Sequence, residues 1–103
     1  MKTDSPKIEE IQLRYKRSLI EKAQSFEQQL SKIVKTQHDP QKNEQNIRDV
    51  HGMLHKLAGS AGMYGYTEIS DDSRSALDVC NTKDIDDLKI RLQRICDLLR
   101  ESA

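Results

Sequence analysis

His51-Gly52-Met53-Leu54-His55-Lys56-Leu57-Ala58-Gly59-Ser60-Ala61-Gly62-Met63-Tyr64-Gly65 holds every glycine of the chain. Leading into this stretch and running through it, Ile47, Val50, Leu54, Leu57, Ala58 and Ala61 recur at the three- and four-residue spacing of an amphipathic helix. Upstream, His38-Asp39-Pro40-Gln41 is a break, because proline disfavours helical geometry in the residue before it. A helix is therefore expected from about Gln41 to Gly62 or Met63, with Gly65 marking the next turn. Glycine inside a helix costs about 0.5–1 kcal/mol relative to alanine. Three in one helix give up about 2 kcal/mol on that scale, against the about 5–15 kcal/mol that holds a small domain folded. A requirement other than stability is expected on the face that carries them.

Helical periodicity continues on both sides. Ser5-Pro6 fits a cap and first turn, and Ile8, Ile11 and Tyr15 then form a short apolar stripe. Ser18-Leu19-Ile20-Glu21 has the spacing of a capping box, which places the start of a second helix there. Leu19, Ala23, Phe26, Leu30 and Ile33 follow as a strong stripe. Beyond the glycine-rich helix, a further helix is expected from about Thr67 to Val79, with Ile69, Ala76 and Leu77 inward. Asn81-Thr82 supplies a break, and Asp84, Asp86 and Asp87 suit the positive end of a last helix. That helix carries Ile85, Leu88, Leu92, Ile95 and Leu99. Short connections favour antiparallel neighbours. The expected fold is all-α: an antiparallel up-down four-helix bundle with a short additional N-terminal helix, one domain over residues 1–103.

Composition narrows the function classes. With 35% apolar and 33% charged residues, each helix can bury one stripe and expose the rest. Seventeen basic residues offset seventeen acidic ones, so no global field attracts nucleic acid or an anionic membrane. No apolar run has the length of a membrane span, and Met1-Lys2-Thr3-Asp4 does not begin a secretory apolar core, so a cytoplasmic location is expected. Cys80 and Cys96 do not have zinc-knuckle spacing and read as reduced thiols partly packed in the core, with a single bridge between two helices as the alternative.

A helical wheel places His55 about 120° from the centre of the apolar arc. Gly52, Gly59 and Gly62 fall within about 60° of it, together with Arg48 and His51 on neighbouring turns. The result is an imidazole facing solvent beside a bare strip of helix, open to the active site of another protein. A neutral imidazole, with an ordinary pKa of about 6.5, is a good nucleophile for phosphoryl transfer. That reaction depends mostly on positioning and charge neutralisation, and a partner can supply the Mg²⁺. Arg48 and Lys56 are the nearby cations, and no acidic residue lies within helical reach of His55 on its face.

His55-Lys56-Leu57-Ala58-Gly59-Ser60-Ala61-Gly62, followed by Met63-Tyr64-Gly65, resembles the signature of histidine-containing phosphotransfer (HPt) domains, the intermediates of multistep two-component phosphorelays. The motif spans residues 51–77, and the helix pattern extends the likeness over nearly the whole chain. The resemblance implies that His55 is the phosphoacceptor, taking a phosphoryl group from a receiver-domain aspartate of a hybrid sensor kinase and passing it to a response regulator. It implies that Gly59 lets the receiver approach closely. The binding surface would comprise Arg48, His51, Gly52, Lys56, Gly59 and Gly62. No cofactor of its own is implied, since the receiver brings Mg²⁺, and no kinase catalytic domain is present. The implied protein is a monomeric carrier rather than an enzyme. One departure stands out: many members carry lysine three residues after the histidine, and this chain has Ala58 there.

Two other readings compete. A helical adaptor could keep the bundle and bind receiver domains or another partner without phosphotransfer. His51 and His55, one turn apart, could hold a metal, but two ligands without a third make a weak site. Gly59-Ser60-Ala61-Gly62 lacks the Lys-Ser/Thr ending of a phosphate-binding loop, and Ser60 is expected to bond back to a helix carbonyl.

Overall fold

Four helices follow one another with connections of two or three residues: α1 (Asp4–Thr36), α2 (Pro40–Met63), α3 (Thr67–Thr82) and α4 (Ile85–Ser102). The computed structural model describes residues 4–103, and all secondary structure among them is helical. The cap expected of Ser5 concerns a side chain outside the described ones, and residues 1–3 lie outside them altogether.

α1 corrects the expected N-terminal architecture. Residues 4–36 form one continuous helix of 33 residues where a short helix followed by a second was expected. Ser18 does not cap anything. Its Oγ donates to the Tyr15 carbonyl at 2.6 Å, the back-bonding available to a serine inside a helix. Nor is the whole N-terminal stripe buried: Tyr15 enters the core, whereas Ile8 is 56% and Ile11 47% exposed.

The α1–α2 connection is set by Asp39, whose Oδ1 accepts from the backbone N–H of Gln41 at 3.0 Å and of Lys42 at 3.3 Å. This satisfies two of the unpaired donors of the first turn, with Pro40 at a position that needs no donor. At the other end of α2, Gly65 takes φ +87° and the Tyr66 N–H donates back to the Ala61 carbonyl at 2.8 Å. The left-handed residue turns the chain at once into α3. α3 runs further than expected, through Asn81 and Thr82, and ends on Lys83 at φ 59°. Asp84 then caps α4 by accepting from Asp87 N–H at 3.1 Å.

The core combines the expected stripes. Leu19, Ala23, Phe26 and Ile33 of α1 meet Val50, Leu54, Leu57 and Ala61 of α2, Ile69 and Ala76 of α3, and Leu88, Leu92, Ile95 and Leu99 of α4. α1 packs chiefly on α4, and α2 chiefly on α3. Cys80 and Cys96 are free and buried, and burial pushes both thiols up to about 11. Arg100 of α4 grips both carboxylate oxygens of Glu27 on α1 at 2.6 and 2.7 Å, and Arg94 meets Asp72 of α3 at 2.6 Å. These pairs are exposed to water and contribute little beside the core.

Candidate functional site

The side of α2 that faces away from the core carries the candidate residues. Arg48, His51, Gly52, His55, Lys56, Gly59 and Gly62 are all exposed, while Val50, Leu54, Leu57, Ala58 and Ala61 are buried. Ile47 is only partly buried, and its expected place is taken by Asn46, which is 2% exposed. The Asn46 amide donates to Thr36 Oγ1 at 2.7 Å, tying the first half of α2 to the end of α1. His55 therefore sits in the middle of a helix anchored at both ends. Arg48, two turns before it, lies 3.9 Å from Glu44 and is largely exposed.

The glycines divide into two kinds. A Cβ added at Gly52 or Gly59 would meet nothing within 4 Å, so both positions face open space. At Gly62 the added Cβ would stand 3.2 Å from Ser70 Oγ of α3. That hydroxyl is fixed, because it donates to the Ala58 carbonyl at 2.8 Å in a buried position. Gly62 thus serves the close approach of α2 and α3, a role no wheel of α2 alone could show. Gly65 also meets nothing within 4 Å, but its φ of +87° calls for glycine; at Gly52 and Gly59 neither a neighbour nor the backbone conformation does.

The two flanks of His55 differ. On the α3 side, Ala58 is 5% exposed and its carbonyl is occupied by Ser70. On the α1 side, α1 and α2 enclose an open groove of about 290 Å³. Phe26, Met53 and Leu57 supply its apolar lining, and Ser18, Glu21, Lys22, Ser25, Lys56 and Ser60 its polar one. Lys22, from the core helix α1, carries no signal in the motif and was not among the residues the sequence singled out.

An aromatic group closes the α2–α3 turn against α1. Tyr15 stacks on Tyr64 with ring centroids 4.2 Å apart and is tilted against Tyr66 at 5.7 Å. Its hydroxyl shares a 2.8 Å hydrogen bond with Ser60 Oγ. Burial raises the Tyr15 phenol above its ordinary value, and the bond to Ser60 opposes that rise. Ser60 also reaches the Leu57 carbonyl at 3.5 Å, the expected back-bond, but its shorter contact goes to another helix. Met63 is 81% exposed beside this group, whereas Met53 packs partly against the core.

Among the described residues, no three His, Cys, Asp or Glu side chains gather to hold a metal ion, and no helix is long and apolar enough to cross a membrane. The chain matches no protein-family model, no curated protein and no solved structure.

Proposed function

We propose that this chain is a cytoplasmic phosphoryl carrier of the HPt kind, built on an antiparallel up-down four-helix bundle. In this reading His55 attacks the aspartyl phosphate of a receiver domain with a ring nitrogen. A P–N bond forms, the P–O bond to the aspartate breaks, and the carboxylate is released. The reverse step onto a second receiver completes the relay. Each receiver contributes its own Mg²⁺, and the bundle contributes position.

The observation that carries the reading is the exposed imidazole on the outward side of a helix fixed at both ends, with open space over Gly52 and Gly59. An exposed nucleophile with bare backbone beside it lets a partner's acidic pocket descend onto it. Phosphoryl transfer needs this access, because the reacting atoms must reach about 3–3.5 Å in line. A helix that had no caller at this face would gain stability from alanine at both glycines. The adaptor reading gives His55 no task, and the exposed histidine therefore favours the carrier.

The test is transfer itself. Mixed with a phosphorylated receiver domain and Mg²⁺, the wild-type chain should acquire acid-labile phosphate. The His55→Gln variant should stay folded, bind the receiver and take up none. Binding without label in the wild type would favour the adaptor.

A further inference from the structure

α1 is longer than anything it packs against. Its 33 residues extend about 50 Å at 1.5 Å per residue, and α2, the next longest helix, has 24. By the helix period Ile8 and Ile11 lie within about 40° of Tyr15, on the face that buries Leu19 and Phe26 further along. The core face of α1 thus continues past the end of the core and into solvent. Leu13 and Met63 are exposed at the same end, so four of the seven large apolar side chains exposed among the described residues gather there. Clustered exposure of this kind marks an interaction surface.

The same end offers a recess. Ile11, Arg14, Tyr15, Ser18 and Tyr64 line an open hollow of about 420 Å³. Two copies of α1 laid antiparallel, with the midpoint between residues 11 and 12, put Ile8 of each opposite position 15 of the other, over this hollow. The two Ile11 side chains then meet beside the twofold axis, the self-complementary contact of an isologous dimer.

Charge selects that orientation. Residues 4–10 carry Asp4, Glu9 and Glu10 against Lys7 alone, a net of −2. Residues 13–19, which they would face, carry Arg14, Lys16 and Arg17 and no acid, a net of +3. A parallel pairing would instead set like on like. No ion pair among the described residues engages Glu9, Glu10, Arg14, Lys16 or Arg17. The overlap is about 24 Å of one helix per copy, short of the about 1,200–2,000 Å² of a standard interface, so the association is weak and reversible.

We propose that the N-terminal end of α1 is a homodimerisation surface, on which a second copy of this chain packs antiparallel through Ile8 and Ile11. It departs from the single-chain carrier that the resemblance implies, and it is independent of what His55 does.

Sedimentation velocity of the full chain, from low to high micromolar concentration, tests it. The mass should climb with concentration from that of one chain toward that of two. Ile8→Ser and Ile11→Ser, at exposed positions, should keep the helical circular dichroism and each weaken association at least about tenfold, since burial of an isoleucine is at stake. Salt raised toward about 1 M, where the screening length falls to about 3 Å, should also weaken it. Glu9→Lys with Glu10→Lys should abolish self-association, as should Arg14→Glu with Lys16→Glu, and mixing the two double variants should restore a dimer. A chain that stays single at every concentration overturns the proposal and leaves the face to a different partner. Self-association that survives Ile11→Ser, or that salt strengthens, overturns the assigned face or the antiparallel order.

Discussion

Gly52, Gly59 and Gly62 occupy one side of one helix, yet replacing each with alanine should give opposite results. At Gly52 and Gly59 the new methyl meets nothing within 4 Å. Each substitution should therefore realise the ordinary helix-propensity gain of about 0.5–1 kcal/mol. For a domain of this size that raises the thermal midpoint by about 2–8 °C. At Gly62 the methyl stands 3.2 Å from Ser70 Oγ, which is committed to the Ala58 carbonyl at 2.8 Å. Ser70 is 2% exposed and has no room to turn its hydroxyl toward water. Displacing it forfeits a buried hydrogen bond, about 0.5–1.5 kcal/mol, and adds strain of about 1 kcal/mol. The propensity gain is offset, and Gly62→Ala should fall between neutral and about 2 kcal/mol destabilising by the same terms. Urea denaturation of the three variants measures this directly. Adding Ser70→Ala to Gly62→Ala should recover stability, with a coupling of at least about 0.5 kcal/mol in the double-mutant cycle. Gly62→Ala matching Gly59→Ala in stability would refute the division of the glycines into packing and access.

Other consequences follow from single residues. Lys83 holds a left-handed conformation at φ 59°, so Lys83→Gly should stabilise the chain by about 0.5–1 kcal/mol in chemical denaturation. Loss of stability there would contradict the role of position 83 as a conformational stop. Tyr15→Phe keeps the stack on Tyr64 but removes the bond to Ser60; a loss of about 0.5–1.5 kcal/mol is expected on thermal melting. The two thiols are raised to about 11 by burial, against an ordinary 9.0. A folded value above the unfolded one means their contribution is complete below about pH 9 and is lost as pH climbs toward 11. Native protein at pH 8 should resist a thiol reagent that modifies both cysteines at once in urea, and fast native labelling would contradict their burial.

Much of the bundle is legible because one apolar stripe per helix is enough to specify a helix that packs on its neighbours. Leu19, Phe26, Leu54, Leu92 and Leu99 all lie where a period of 3.6 puts them. The misreadings arise where one local pattern serves two structures. Ser18 and Glu21 match a capping box, but the same serine inside an uninterrupted helix bonds back to Tyr15. From Lys7 to Thr36 no proline or glycine forces the helix to stop, and the apolar stripe passes through Ser18 unbroken. Asn81 and Thr82 looked like a break for similar reasons, while the real stop is Lys83, whose left-handed φ has no mark in the sequence. Asn46 is core by virtue of a hydrogen bond to Thr36, which apolar periodicity does not detect.

The site divides along the same line. Residues on α2 could be ordered around His55 from the helix period alone, and each of them is exposed as that order requires. What α1 and α3 bring was out of reach. Ser70 explains Gly62 and closes the Ala58 flank, and Lys22 enters the groove beside Lys56; both depend on the register between helices. No spacing within α2 encodes them.

The most direct measurement is a phosphate-transfer time course from a phosphorylated receiver domain, in Mg²⁺, to wild-type chain and to His55→Gln. The carrier account predicts acid-labile, alkali-stable label on the wild type, mapped to His55, and none on a folded His55→Gln variant that still binds the receiver. Equal labelling of the two proteins, or label mapped to His51, would contradict it.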